Sequence, residues 1–411
     1  STTAYMESSM ETEQDAVAFA ASFYDPLVIG PGFPATTSAP LIIGGGYNRL
    51  TQEFQLTSNG NESLEWIAGL YYADEENSNS FIVTALPSNF TLFSGAADAQ
   101  YKELAAYGNM TYYFTSDFDV TIGARLSRNE LSNIASSFSN APLNLNDVAV
   151  TGTTKDTTGT YSLALRYRPD DNMSLYARVA SGYRPATVDL NASGLVSEAD
   201  SDSLWSYEVG AKGGMADGFL SYDLALYFFD WDNFQTNFTN GPVTSLVVNA
   251  EGGLVGKGIE ASVTLRPLDG LSVITNMAYS SSELNEDQPE FNGLKGQQTP
   301  YVPKWTASSR LRYDFTLASG QEAFANLGVR YEDSARAAYT DGAGGRNNLP
   351  SDSYIAVDLS AGVTFDPVTL GLYATNLLDE RAIQSTVSSA FEDRGVPIKP
   401  RSVGLRLSMD F

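Results

Sequence analysis

Phe219-Leu-Ser-Tyr-Asp-Leu-Ala-Leu-Tyr-Phe228 sorts its side chains into two kinds. Leu220, Tyr222, Leu224, Leu226 and Phe228 share one face of an extended strand, and Ser221, Asp223, Ala225 and Tyr227 share the other. Successive side chains of a strand point to opposite faces, so the charge is confined to one side and the bulky apolar groups to the other. Tyr161, Leu163, Leu165 and Tyr167 oppose Ser162, Ala164 and Arg166 in the same way, as Ile259, Ala261, Val263 and Leu265 oppose Glu260, Ser262, Thr264 and Arg266. Tyr207, Val209, Ala211 and Met215 oppose Glu208, Gly210 and Lys212, while Ile355, Val357, Leu359, Ala361, Val363 and Phe365 make an unbroken apolar face with Asp358 opposite. A half-buried sheet in water gives identical alternation on any one strand. The number of strands and the way they are joined must separate the two cases.

About sixteen segments of roughly 9 to 14 residues alternate like this, close to the length a tilted strand needs to cross a bilayer. They span 2–10, 49–57, 64–75, 101–114, 118–128, 158–168, 173–183, 205–215, 219–234, 256–266, 271–283, 305–315, 322–332, 354–365, 368–376 and 402–411. Their connections form two interleaved sets. Ser58–Asn61, Ser116-Asp117, Pro169–Asn172, Ala216–Gly218, Pro267–Gly270, Ala318–Gly320 and Asp366-Pro367 are short and carry tight-turn residues. Segments 11–48, 76–100, 129–157, 184–204, 235–255, 284–304, 333–353 and 377–401 are long and rich in Ser, Asn, Asp, Gly and Pro, as solvated loops are.

Short-long alternation is the plan of a bacterial outer-membrane barrel, with tight periplasmic turns on one rim and long extracellular loops on the other. The expectation is an all-β, transmembrane, antiparallel up-and-down β-barrel, residues 1–411 forming one barrel domain without a second domain or linker. Trp66, Tyr71, Tyr72, Tyr112, Tyr113, Trp305 and Tyr313 lie near strand ends, where interfacial aromatic girdles occur.

Composition removes other classes. With no Cys and no His among 411 residues, disulfides, thiolate nucleophiles, the usual zinc sites and the commonest general base are absent. No enzyme, cofactor or metal centre is expected. A formal charge of −25 opposes phosphate, so nucleic acid is not an expected partner. No run of about 18 apolar residues occurs, which argues against a helical span. Ser1-Thr-Thr-Ala-Tyr-Met6 has no basic segment before an apolar run, so no signal peptide is read in this chain.

Thr51-Gln-Glu-Phe-Gln-Leu-Thr-Ser58 followed by Trp66-Ile-Ala-Gly-Leu-Tyr-Tyr72 is similar to an early barrel hairpin of the TonB-dependent receptors, outer-membrane transporters of siderophores and other scarce nutrients. Ser174-Leu-Tyr-Ala-Arg-Val-Ala-Ser-Gly-Tyr-Arg-Pro185, Tyr207-Glu-Val-Gly-Ala-Lys212 and Gly258-Ile-Glu-Ala261 resemble further strands of that barrel. So do Pro300-Tyr-Val-Pro-Lys-Trp305, Asn376-Leu-Leu-Asp-Glu380 and Pro400-Arg401, and their order covers essentially the whole chain. The final strand places Val403, Leu405, Leu407, Met409 and Phe411 on one face. Its aromatic end resembles the signal read by the barrel assembly machinery. A complete family member begins with a TonB box and a plug domain and closes a barrel of about 22 strands. Neither box nor plug is recognisable, so the expectation is that a plug and roughly six strands lie upstream of Ser1. The other possibility is a plugless relative that closes a smaller barrel.

The resemblance implies energy-coupled uptake, with a ligand landing on the extracellular loops and TonB opening a path through an upstream plug. A ferric siderophore or similar iron complex is the expected cargo. The implied partners are outer-membrane lipid and lipopolysaccharide, TonB, the assembly machinery and the small-molecule ligand. The alternative is a plugless structural or interaction barrel assembled with other envelope proteins. Inward aromatic and charged residues near the extracellular rim are the ligand candidates, because a recessed site combines stacking with a few polar anchors. They are Tyr183, Arg184, Trp231, Phe234, Tyr301, Arg336 and Tyr339, each with girdle or loop packing as the competing role. Glu198, Asp200 and Asp202 have oxygen-ligand spacing without the Gly of an EF-hand loop, and a solvated loop is the expectation there.

Overall fold

A computed structural model describes residues 1–15, 38–60, 63–86, 90–139, 148–190, 196–215, 217–239, 245–289, 291, 293–339, 349–388 and 393–409. The strands are β1 (Thr2–Asp15), β2 (Pro40–Thr57), β3 (Leu64–Ala85), β4 (Phe90–Tyr113), β5 (Phe118–Ser139), β6 (Val148–Asp170) and β7 (Met173–Arg184). They continue with β8 (Thr187–Leu190), β9 (Val196–Ala199), β10 (Asp202–Met215), β11 (Leu220–Asp232), β12 (Phe234–Thr239), β13 (Ser245–Ala250), β14 (Leu254–Leu268) and β15 (Leu271–Leu284). The last are β16 (Trp305–Thr316), β17 (Glu322–Glu332), β18 (Tyr354–Phe365), β19 (Val368–Thr375), β20 (Ile383–Ser388), β21 (Asp393–Pro397) and β22 (Ser402–Met409).

Sixteen strands make one antiparallel sheet in chain order, from β1 at one edge to β22 at the other. Among the described residues no pairing joins those two edges. The other six form the hairpins β8–β9, β12–β13 and β20–β21. Short turns fix the register where they fall. At Gly270 φ is +78, and a Cβ there would lie 2.0 Å from the Asp314 carbonyl oxygen of the neighbouring strand, so only glycine fits. Inside the wall, Tyr176 lays its ring over Gly210, where a Cβ would approach it to 2.4 Å. A ring covering a strand glycine restores the packing that the glycine gives up.

The register carries the alternation across strands. Val209, Leu226 and Ile259 are consecutive partners on β10, β11 and β14, as Leu311, Leu327 and Leu359 are on β16, β17 and β18. This apolar face is the convex one. On the opposite face, side chains two strands apart touch: Asn129 of β5 donates to the Tyr183 hydroxyl of β7 at 2.9 Å, and Tyr227 of β11 donates to Ser280 of β15 at 3.1 Å. Only the inside of a curved sheet brings such pairs together. Asp223, paired with Lys212 at 2.9 Å, and Glu260 line an inner cavity of about 550 Å³, whereas Leu224 is 42% exposed on the outer wall. Ionised groups keep to the watery lumen and oily ones meet hydrocarbon, as a membrane barrel requires.

Three expectations change. First, segments 76–100 and 129–157 are not mainly loop, because β3 to β6 run far past the alternating stretches, to Ala85 in β3 and from Val148 in β6; in segment 11–48 the described ends extend β1 and β2, and residues 16–37 lie outside the described residues. Beyond the bilayer both faces meet water, so backbone pairing continues without apolar alternation. Second, Tyr71 and Tyr113 do not join an outer girdle: Arg49 donates to the Tyr71 hydroxyl at 3.0 Å and Tyr113 donates to Glu65 at 2.9 Å on the inner face. Adjacent residues cannot both face lipid in a strand, and their neighbours Tyr72 and Tyr112 take the outer side. Third, Asp202 is not in a solvated loop but is 2% exposed. Phe411, the expected assembly signal, lies outside the described residues.

Candidate functional site

All three hairpins leave the wall above the bilayer and pack against its inner side. Val188 of β8 covers Gly152 of β6, where an added Cβ would come within 2.6 Å, and Asn133 donates to the Val188 carbonyl at 3.1 Å. Phe234 and Ala250, flanking the β12–β13 hairpin, pack with Leu254, Leu284 and Phe291 into a buried apolar cluster. Near the third hairpin, Ala382 and Ile398 bury against Tyr354 and Ala356 of β18. The mouth of the wall is therefore lined by folded-in chain held by specific contacts.

Asp202 is the hub of this rim. Its Oδ1 accepts the Arg184 backbone N–H at 3.0 Å, while Oδ2 accepts from Arg184 Nε at 2.7 Å and from the Gln235 backbone N–H at 3.0 Å. Arg184 Nη2 reaches both Asp202 and the Gln235 carbonyl, the latter at 2.7 Å. A buried carboxylate holds its charge only when such donors surround it. Because Asp202 is occupied in this way, it does not join Glu198 and Asp200 in an oxygen-ligand set. Asn249 ties the two hairpins, accepting from the Asp200 N–H at 2.7 Å and donating to the Asp200 and Asn233 carbonyls.

Six of the seven residues singled out from the sequence line one connected run of the rim, and Tyr183 is bonded separately to β5. Tyr183 exchanges hydrogen bonds with Asn129, which also donates to Asp156 at 2.7 Å and accepts from Tyr101 at 2.8 Å. Arg184 places its guanidinium 4.7 Å from the Trp231 ring centroid, and Trp231 lies 5.8 Å from Phe234. Trp231 Nε1 is buried without a hydrogen-bond partner among the described residues. Phe234 is 7% exposed, a packing position in this conformation. Through Phe291 the cluster reaches Tyr339, ring centroids 5.2 Å apart. Burial pushes the Tyr339 hydroxyl up to about 12, so it stays a neutral donor at physiological pH.

Arg336 and Tyr339 share a second cavity of about 550 Å³ with Lys304, Asp333 and Gln298. Tyr301 sits beside it with φ of +61, its N–H donating to the Arg336 carbonyl at 2.7 Å and its side chain 56% exposed. Two cations against one carboxylate, with an aromatic ring and two side-chain amides around a cavity of this size, leave a net positive lining that suits an anionic molecule of moderate size. The sequence reasoning read Asp202 as a solvated acid and missed Asn129, Lys304 and Phe291. Only Phe291 carried a local signal, being a lone aromatic in the polar stretch Asp287-Gln-Pro-Glu-Phe291.

A family model described as TonB dependent receptor-like, beta-barrel matches residues 12–377. The pesticin receptor of Yersinia pestis is 24% identical over 379 residues, covering 89% of this chain and 52% of that receptor. The chain thus spans about half the length of the curated relatives it matches. Among solved structures, the ferric yersiniabactin uptake receptor FyuA from Yersinia pestis is similar at a TM-score of 0.77 and 21% identity, over 91% of this chain and 55% of that one. The copper transporter OprC has a TM-score of 0.75 at 14% identity, over 100% of this chain and 62% of that one. The siderophore receptor PiuA from Acinetobacter baumannii has a TM-score of 0.65 at 19% identity, over 90% and 56%. The matched span, the lipid-facing outer wall and the polar lumen agree: this chain belongs to the TonB-dependent receptor-like β-barrel family of the bacterial outer membrane.

Proposed function

We propose that residues 1–411 act as one barrel unit of an energy-coupled receptor that takes up a chelated metal, with a ferric siderophore or similar iron complex as cargo. The observation that carries the proposal is the rim cavity between the segments after β15 and β17, where Lys304 and Arg336 present positive charge beside the Tyr339 ring. Siderophores bind iron through anionic oxygens, and a ferric chelate often keeps a negative charge that two cations would hold. The names of FyuA and PiuA support that class. OprC, named for copper, defines the competing cargo. Tyr183, Arg184, Trp231 and Phe234 would form the approach to the cavity, with the unpartnered Trp231 N–H as a donor that an arriving chelate satisfies. TonB, a plug and the assembly machinery are partners of the whole receptor in this proposal, and β1 and β22 would pair with its remaining wall.

The test is uptake of radioactive iron by cells carrying the full-length receptor, with and without an intact proton-motive force and TonB. Energy-dependent uptake of a ferric siderophore, with affinity lowered about 10- to 100-fold by Arg336→Ala, is the expected result. Uptake of copper in place of iron would reassign the cargo. Absence of any energy-dependent uptake, together with stable association with other envelope proteins, would establish the structural barrel instead.

A further inference from the structure

Several glycines of the inner wall lie under an aromatic ring, and Gly328 of β17 does not. A Cβ added at Gly69, Gly362 or Gly404 would come within 2.6 Å of the Tyr107, Phe324 or Tyr373 ring. At Gly328 the nearest atom would be the Asp358 Cβ at 3.6 Å, an ordinary contact, and its φ lies outside the left-handed region. Neither packing nor backbone geometry calls for glycine there. What the missing side chain leaves is space, a recess of about 320 Å³ in the lumen wall.

Two guanidinium groups flank that space. Arg310 on β16 and Asp358 on β18 are the register partners of Gly328, and Arg330 stands two residues above it on β17, opposite Ser308. Both arginines are exposed to the lumen, and neither makes an ion pair among the described residues. Arg330 lies 5.5 Å from the Tyr354 ring centroid. The Asp358 carboxylate accepts the Asn376 backbone N–H at 2.8 Å, so two cations stand against one carboxylate that already has a donor. The recess opens into the lumen cavity through Asn276, Ser308 and Arg330, which line both. Another part of that cavity carries Glu208, Asp223 and Glu260 against Lys212. An anion inside the lumen is therefore repelled from β10–β14 and drawn toward β16–β17.

We propose that the recess at Gly328 is an oxyanion-binding station on the lumen wall, which takes a carboxylate-class group of the cargo on its way inward. At about 3.4 Å of rise per residue it lies roughly 17 Å along the strand from Asp333 of the rim cavity. The Arg310 fork can donate to two oxygens of one group, with Arg330 donating from the side. Asp358 opposes the same anion and keeps the binding weak. Weak binding is what a station on a path requires, because the cargo must leave as well as enter. The inference rests on the anionic cargo proposed above.

The experiment uses the full-length receptor carrying Gly328→Cys in energised cells, since these 411 residues hold no Cys of their own. Two methanethiosulfonate reagents, one bearing a sulfonate and one a trimethylammonium group, are compared by the mass of the recovered receptor, with the unsubstituted receptor as blank. Relative to their rates on free cysteine, the sulfonate reagent is expected to react about tenfold faster. Adding R310Q/R330Q should abolish that preference, R310K/R330K should keep most of it, Asp358→Asn should enlarge it and Arg406→Gln should leave it unchanged. Citrate, used as a tricarboxylate probe, should slow the sulfonate reagent unless both arginines are replaced. Should the double variant fail to reach the outer membrane, Arg310→Gln and Arg330→Gln taken singly should each reduce the preference about threefold. No preference, a preference that survives R310Q/R330Q, or a thiol that neither reagent reaches overturns the proposal, the last by showing the recess filled by another part of the receptor. Iron uptake separates this inference from the cargo it rests on. Uptake by wild type that R310Q/R330Q leaves at full rate overturns the station, whereas a full reagent preference without energy-dependent iron uptake by wild type supports the recess and counts against the cargo.

Discussion

Leu126 and Ile134 are both on the outer face of β5, and both are 58% exposed on the protein surface. Their surroundings differ. Leu126 lies among Ala106, Leu70 and Phe54 in the band that meets hydrocarbon, whereas Ile134 lies beyond Arg128 and Glu130, next to Asp98 and Thr151. The lower part of the strand obeys a rule imposed on every residue by the bilayer, because an unpaired charge there has no water to turn to. The upper part obeys no such rule. It is held by particular contacts, above all the Asp202 hub and the cluster around Phe234.

The largest effect should come from placing a charge in each part. Ile122→Arg, near the middle of the apolar stretch of β5 and on the same outer face as Leu126, is expected to cost about 2–4 kcal/mol in the stability of the full-length receptor. Ile134→Arg should stay within about 0.5 kcal/mol. Urea unfolding in lipid vesicles, followed by tryptophan fluorescence, measures both. Equal costs would erase the distinction between band and rim.

An intermediate effect is confined to the rim. Asp202→Asn removes the charge that Arg184 and the Gln235 N–H share, and should ease local opening by about 1.5–3 kcal/mol. Hydrogen exchange should then speed up at Gln235 and across β12–β13 while amides of β11 below Phe228 keep their protection. Unchanged exchange at Gln235 would show that the hub does not hold the hairpin. Acceleration throughout β11 would show that rim and band open as one unit.

The smallest effect concerns pH. Burial raises the Tyr339 hydroxyl from 10.0 to about 12 in the folded protein. A group with a raised folded value contributes stability fully present below its unfolded value, here below pH 10.0, and lost as pH rises through about 12. The difference in tyrosinate absorbance between wild type and Tyr339→Phe should therefore develop in that window. A midpoint near 10.0 would place Tyr339 in solvent and remove it from the cluster with Phe291.

The same division explains what was legible beforehand. All sixteen wall strands could be found from alternation, since Val209, Leu226 and Ile259 each had to face lipid and each says so locally. Their upper limits could not. Thr151, Thr153 and Thr157 in β6 pair as well as Leu163 does, but without a hydrocarbon boundary they read as a polar loop. The rim residues were chosen by type and position, and the structure connects them through partners that carried no sign of their role. Asp202 looked like one more solvated acid until Arg184 and Gln235 were seen around it.

The sequence by itself determined the membrane band, the order of the wall strands and the face on which each charge is kept, because the bilayer tests every residue one at a time. Only the tertiary structure decided how far the strands rise, where the three hairpins fold and which polar groups meet at the rim. Those features depend on partners far apart in the chain, such as Asn129 with Tyr183 and Arg184 with Trp231, and no local pattern records them.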